Sequence, residues 1–178
     1  MEPYRIASFQ KVSREQFVAD WMDTFQTDRE TALARYEEIR LPGRATSGSA
    51  GYDFYAPAEF IIKPKETVKI PTGIRVRMEE GWVLQIFPRS SLGFKYRLQL
   101  NNTVGIIDSD YFNSDNEGHI FIKITNDTNE GKTVELAAGA GFAQGIFLPF
   151  GITVDDDCTA QRNGGFGSTD KERAYKEQ

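Results

Sequence analysis

The sequence predicts a mainly β domain, a sandwich or barrel of short strands, preceded by a partly helical segment. Three observations predict it. From about Leu41 onward, short apolar runs alternate with polar residues at a period of two, the spacing of strands with one buried face. Gly, Pro, Asn and Asp punctuate those runs, as they do in all-β sandwiches and barrels. Before Leu41 the apolar residues recur instead at helical spacing. Three regions follow: an N-terminal extension over 1–40, a barrel over 41–160, and a flexible, glycine-rich C-terminal arm over 161–178.

In chain order, Ser13 followed by Gln16 has the form of a capping box. Phe17, Val18, Trp21, Met22 and Phe25 then fall on one helical face, and a second helix is expected from Asp28 to about Ile39. That apolar stripe suits packing, either on this domain or on a protein partner. Val68, Ile70, Thr72, Ile74, Val76 and Met78 alternate with polar partners and read as one strand, with Pro71 marking an edge or a bulge. Trp82 to Phe87 is the next strand after the Glu80-Gly81 turn, Leu98 to Ile107 covers another, and Ile120, Ile122 and Ile124 alternate in a further one. Phe142 to Phe150 is the last apolar strand, ended by Gly151.

Composition narrows the function. The chain has 178 residues and a net charge of −5, enough for one domain with a real core. The acidic balance argues against nucleic acid, whose binders carry a basic stripe, but leaves room for a small anionic ligand gripped by a few arginines. One cysteine, Cys158, excludes an internal disulfide and fits a reducing cytoplasm. The first residues lack the apolar core of a signal peptide, and no run is long and apolar enough to span a membrane. With one histidine, His119, and one cysteine, no zinc-type site can be assembled. Any metal would be a hard ion such as Mg2+, held by oxygens.

Five polar patches interrupt the strands: Ala50-Gly51-Tyr52-Asp53; Pro88-Arg89-Ser90-Ser91-Leu92; Asn102 to Tyr111, reading NTVGIIDSDY; Gly139 to Gln144, reading GAGFAQ; and Arg162 to Thr169, reading RNGGFGST. In the last, glycines allow close backbone approach to a ligand. Successive amides there can cradle an oxyanion, Arg162, Ser168 and Thr169 add phosphate donors, and Phe166 offers a flat face to a base. Taken singly, each patch has an ordinary reading: Asp53 and Asp108 as turn residues, Arg89 as an ion-pair partner, Gln144 as a backbone partner, Tyr111 as a core aromatic.

Taken together and in this order, the patches resemble those of the trimeric dUTP diphosphatases (dUTPases) over roughly residues 41–170. The resemblance implies a distorted β-barrel or jelly roll, a homotrimer, and hydrolysis of dUTP to dUMP and pyrophosphate with Mg2+. It implies that Asp108 activates the attacking water and that Tyr111 stacks under the deoxyribose, leaving no room for a 2′-hydroxyl. Asn102, Gly105, Ile106 and Ile107 would form the hairpin that reads uracil. Arg89, Ser90, Ser91 and Gln144 would contact phosphates, and Asp53 would help hold hydrated Mg2+. Phe166 would close over the base, while Arg162, Gly167, Ser168 and Thr169 wrap the terminal phosphates. The chemistry is coherent. An aspartate ionised at neutral pH can align a water, and a highly charged phosphoryl centre needs mainly positioning and charge neutralisation.

Departures accompany the match. Ala140 and Gly141 stand where the family has an acidic residue and an arginine; Ser91 replaces a common glycine; Asn113 to Glu117 read as an inserted loop; Arg162 is one residue closer to the Gly-Gly pair; Asp170 replaces a glycine. Two rival readings are a regulatory or binding protein on the same scaffold, and a dCTP deaminase. The second family needs a glutamate at the end of a G-x-x-T-L-E strand, where this chain, aligned on Gly118, has Lys123.

Overall fold

The N-terminal segment enters as a strand before it turns helical. In the computed structural model, which describes residues 4–162, β1 (Ala7–Lys11) pairs antiparallel with β5 (Ile74–Met78), from Ala7 opposite Met78 to Lys11 opposite Ile74. Helix α1 (Arg14–Phe25) follows, then α2 (Arg29–Glu38), capped by Asp28, whose carboxylate accepts from the Thr31 N–H at 2.7 Å. The Ser13 hydroxyl caps α1 by accepting the Gln16 N–H at 3.1 Å. The reciprocal half of the expected capping box is made differently: the Gln16 amide turns to Asp20, and Glu117 accepts the Ser13 N–H instead. The apolar stripe of α1 is spent inside this chain. Phe17, Val18 and Trp21 are buried in the same core as the sheets, with Trp21 and Phe25 packed on Phe60.

The barrel is built from short antiparallel pairings among the described residues. Strands β2 (Tyr52–Tyr55), β6 (Trp82–Pro88), β8 (Gly105–Ile107) and β11 (Gly141–Pro149) form one sheet in the order β2-β11-β6-β8. Strands β4 (Thr67–Pro71), β7 (Leu98–Leu100) and β9 (Phe121–Asn126) form a second, ordered β4-β9-β7, and β3 (Phe60–Ile62) pairs with β10 (Val134–Leu136). Ile70, Leu84, Ile86, Ile120, Ile122, Ile124 and Phe142 fill the space between them.

Two expected long strands are each broken in two. The run from Val68 to Met78 splits into β4 and β5 because Gly73 takes a left-handed φ of 73° and a Cβ there would meet Ile39 and Phe17. Alternation survives the break, so periodicity alone does not reveal it. Pro71 closes β4, an edge strand among the described residues, where its missing N–H is tolerated. The run from Leu98 to Ile107 splits into β7 and β8 at a turn over 101–104, with Thr103 at φ 65°, and its halves join different sheets. A short helix α3 (Ser90–Tyr96) and a 3-10 turn (Ser109–Asn113) follow β6 and β8. Among the described residues no helix is long and apolar enough to cross a membrane.

Candidate active site

The first group of site residues converges where β2, β6 and β11 end together. Register places Asp53 opposite Gln144, and Gln144 opposite Phe87, just before Arg89. Asp53, Arg89, Ser90, Ser91 and Gln144 thus line one cavity of about 330 Å³, together with Ala45, Ser49 and Gly51. The Arg89 guanidinium is braced from two sides: Nε lies 3.2 Å from Asp53 Oδ1, and Nη1 donates to the Gly141 carbonyl at 3.2 Å. Gln144 Nε2 donates to the Pro88 carbonyl at 3.1 Å. Ser90 and Ser91 open α3, and its N-cap is Arg89, so no side chain caps the first turn.

Two glycines leave room for these side chains: Gly51 in the first patch and Gly141 in the fourth. A Cβ on Gly51 would fall 2.6 Å from Gln144 Oε1, and one on Gly141 would fall 2.6 Å from Arg89 Nη1. Gly141, one of the departures from the family pattern, leaves the space that the Arg89 guanidinium occupies. Ala45 and Ser49, which also line the cavity, carry no motif signal at all.

A second group lies around β8 and the 3-10 turn. Asn102 sits in the exposed turn before β8; Gly105 packs where a Cβ would be 3.2 Å from Ile86; Ile106 is half exposed and Ile107 buried. Asp108 ends the strand and begins the 3-10 turn. Its carboxylate, about half exposed, accepts from Arg162 Nη2 at 2.6 Å, while Arg162 Nε reaches Asp110 at 2.9 Å. Tyr111 is buried; its hydroxyl donates to the His119 carbonyl at 2.8 Å and accepts from Asn116 Nδ2 at 2.9 Å. Burial pushes the phenol above its usual range, against the Asn116 hydrogen bond, which lowers it. Beside this group a cleft of about 480 Å³ runs between Arg77, Phe112 and Arg162. It shares no lining residue with the Arg89 cavity. Phe166, Gly167, Ser168 and Thr169 lie outside the described residues.

The dUTPase family profile matches residues 37–170. The chain belongs to the dUTPase family. It is 43% identical over 134 residues to the deoxyuridine 5′-triphosphate nucleotidohydrolase of Lactococcus lactis subsp. lactis, covering 74% of this chain and 88% of that one. The same enzyme of Hahella chejuensis is 39% identical over 140 residues, again covering 74% and 88%. Among solved structures, the dUTPase of Streptococcus mutans superimposes with a TM-score of 0.61 at 38% identity, covering 83% of this chain and 98% of that one. The dUTPase match begins at residue 37, so β1 and α1, which complete the core here, precede it.

Among the described residues no three His, Cys, Asp or Glu side chains cluster as a metal cage. The oxygen-bearing side chains of the Arg89 cavity are one carboxylate, one amide and three hydroxyls. That set suits an ion carried in on phosphate oxygens, and not one stored by the protein alone.

Proposed function

We propose that this chain hydrolyses dUTP to dUMP and pyrophosphate by attack of water at the α-phosphorus. The observation that carries the reading is the convergence of Asp53, Arg89, Ser90, Ser91 and Gln144, drawn from separate stretches of chain, around one cavity. Arginine, hydroxyl and amide donors are the groups that neutralise and orient a polyphosphate. Asp108, accessible at the end of β8, is the base that aligns the water, and Tyr111 the platform beneath the sugar. The turn and strand carrying Asn102, Gly105, Ile106 and Ile107 read the base. Arg162, Phe166, Gly167, Ser168 and Thr169 form the arm over the phosphates and base. Arg162 then exchanges partners, Asp108 and Asp110 without nucleotide and phosphate with it.

Mg2+ fits this donor set: it would be held mainly by the phosphates, with Asp53 reaching it through water, and would neutralise their charge. The homotrimer that the family resemblance implies would complete the site: Asp108 is not among the residues that line the Arg89 cavity, and a second copy would supply it. Leu148, Phe150, Ile152 and Val154 alternate at strand spacing yet are all exposed, as expected of a segment that packs on another chain. Any further protein partner of the N-terminal helices has only their outer faces to use. The exposed, unpaired Cys158 suits the cytoplasm.

Neither rival gains support from the fold. Lys123, at the position of a deaminase's glutamate, is exposed on β9 opposite Lys69. A binding module would have no use for Asp108. The test is pyrophosphate release from dUTP with Mg2+ by wild type, Asp108→Asn and a chain truncated before Arg162. Asp108→Asn is expected to lose about 100- to 10,000-fold in kcat. Wild type that binds dUTP and leaves it intact would sink the enzyme reading.

A further inference from the structure

Residues 113–119 form a loop to which the reaction gives no part. It folds back over the 3-10 turn that carries Tyr111. Glu117 and Gly118 both take left-handed backbone, at φ 59° and 71°. At Gly118 a Cβ would lie 2.7 Å from both Phe112 Cα and the Tyr111 carbonyl. This close return puts Asn116 on Tyr111. The Asn116 Nδ2 donates to the Tyr111 hydroxyl, and its Oδ1 accepts the Gly118 N–H at 3.2 Å. With its own proton given to the His119 carbonyl, the phenol is held from two directions.

The loop is in turn held by α1 at two points. Glu117 accepts the Ser13 N–H at 2.7 Å and the Ser13 hydroxyl at 2.6 Å. Two turns along the helix, Asp20 Oδ2 meets His119 Nδ1 at 2.5 Å. His119 is fully buried, and its Nε2 accepts the Gly73 N–H at 2.8 Å, which puts the ring proton on Nδ1, facing Asp20. From β5, Arg75 stacks 3.6 Å over the Phe112 ring and donates to the Phe112 carbonyl at 2.7 Å. A 3-10 turn has poor internal hydrogen bonding, so its geometry depends on such outside contacts.

We propose that Glu117 and Asn116 are positioning residues for the reaction: α1 grips the loop through Ser13–Glu117 and Asp20–His119, and Asn116 passes that grip to Tyr111 and the Asp108 turn. The N-terminal helix is then part of the catalytic scaffold. The proposal rests on the roles given above to Asp108 and Tyr111.

The experiment compares full-length wild type, Glu117→Ala, Asn116→Ala and, as a control, Arg14→Ala, which removes exposed contacts between α1 and α2, to Glu37 and the Tyr36 ring, and none to the loop. Hydrogen exchange is read on the free proteins, and kcat and KM on dUTP and UTP. Glu117→Ala and Asn116→Ala should speed exchange over residues 109–114, and lower kcat on dUTP about tenfold to a hundredfold by misplacing the reacting groups. The ratio of kcat/KM for dUTP over UTP should fall about tenfold, since the sugar platform loosens. Simple destabilisation would remove active enzyme for both substrates alike and leave that ratio untouched. Glu117→Gln, which keeps an acceptor for Ser13, should recover part of the loss, and it serves if Glu117→Ala does not fold. An unchanged ratio, or faster exchange confined to α1, would overturn the proposal. A wild type inactive on dUTP would sink the enzyme reading instead, and the exchange over 109–114 would still decide the positioning claim.

Discussion

Replacing Phe17 by Ala tests whether the N-terminal helices belong to the folding unit. Phe17 has no exposed surface; its ring lies 5.4 Å from Trp21, 5.7 Å from Tyr36 and 6.1 Å from His119. Those neighbours come from α1, α2 and the loop before β9, so the cavity left behind cannot be closed by a shift of one element. Truncation at such a site costs about 3–5 kcal/mol. At about 2–4 °C per kcal/mol for a chain of this size, the unfolding midpoint should fall about 6–20 °C. The assay is thermal unfolding followed by far-UV circular dichroism and tryptophan fluorescence. Protein concentration must be fixed, because assembly contributes to apparent stability. Both probes should report one coincident transition. A shift below about 2 °C, or helical signal melting ahead of the sheets, would refute the shared core and make the helices an appendage.

Three further outcomes follow from the site. Gly141→Ala should leave the melting point within about 2 °C, because the displaced atom is the tip of a flexible arginine, yet lower kcat/KM on dUTP about tenfold by unseating Arg89 from Asp53; unchanged kinetics would mean Arg89 needs no such seat. Burial, the largest single influence, raises the Glu117 carboxyl, but the Ser13 hydrogen bonds, with Arg75 and His119 nearby, outweigh it and hold the group below its ordinary value of 4.5. A depressed carboxyl contributes stability above its unfolded value, so the stability gap between wild type and Glu117→Gln should be full above pH 5 or so and close as pH falls below about 4; a gap constant with pH would remove the charge from the argument. Chelating Mg2+ should abolish dUTP hydrolysis without moving the melting point of the free protein, since no described cluster of ligands stores the ion; a lower melting point would reveal a structural metal.

The β class, the helical start and most of the lining of the Arg89 cavity, all but Ala45 and Ser49, were legible because they rest on local pattern: alternation, helical spacing and short motifs. What was not legible depends on partners distant in sequence. Ser13 announces a helix start, but its reciprocal acceptor is Glu117, on a loop that pattern marks only as an insertion. Gly73 breaks a strand whose alternation runs on undisturbed, and only the ring of Phe17 and the tip of Ile39 above it show why. β1 was missed because five residues with a single large apolar side chain, Phe9, carry too little alternation to be read beside a strong helix. Gly141 looked like a lost arginine; the fold shows it as space for a different one.

The separation of Asp108 from Arg89 leads to a quantitative test of assembly. Within one chain, Asp108 pairs with Arg162, which lines the 480 Å³ cleft, and neither residue lines the cavity of Arg89. If a working site takes Arg89 from one copy and Asp108 from the next, Asp108→Asn and Arg89→Ala chains are each inactive alone but complementary. Mixed at equal amounts through denaturation and refolding, they assemble at random around a closed ring. A given junction then draws an intact Arg89 and an intact Asp108 with probability one half each, so about one quarter of sites are whole. The mixture should therefore recover about a quarter of wild-type turnover. If both groups instead serve a site within one chain, every chain carries one lesion and mixing restores nothing. Light scattering on the same mixture separates the cases: a trimer without recovery would break the shared-site argument, and a monomer would break the assembly itself.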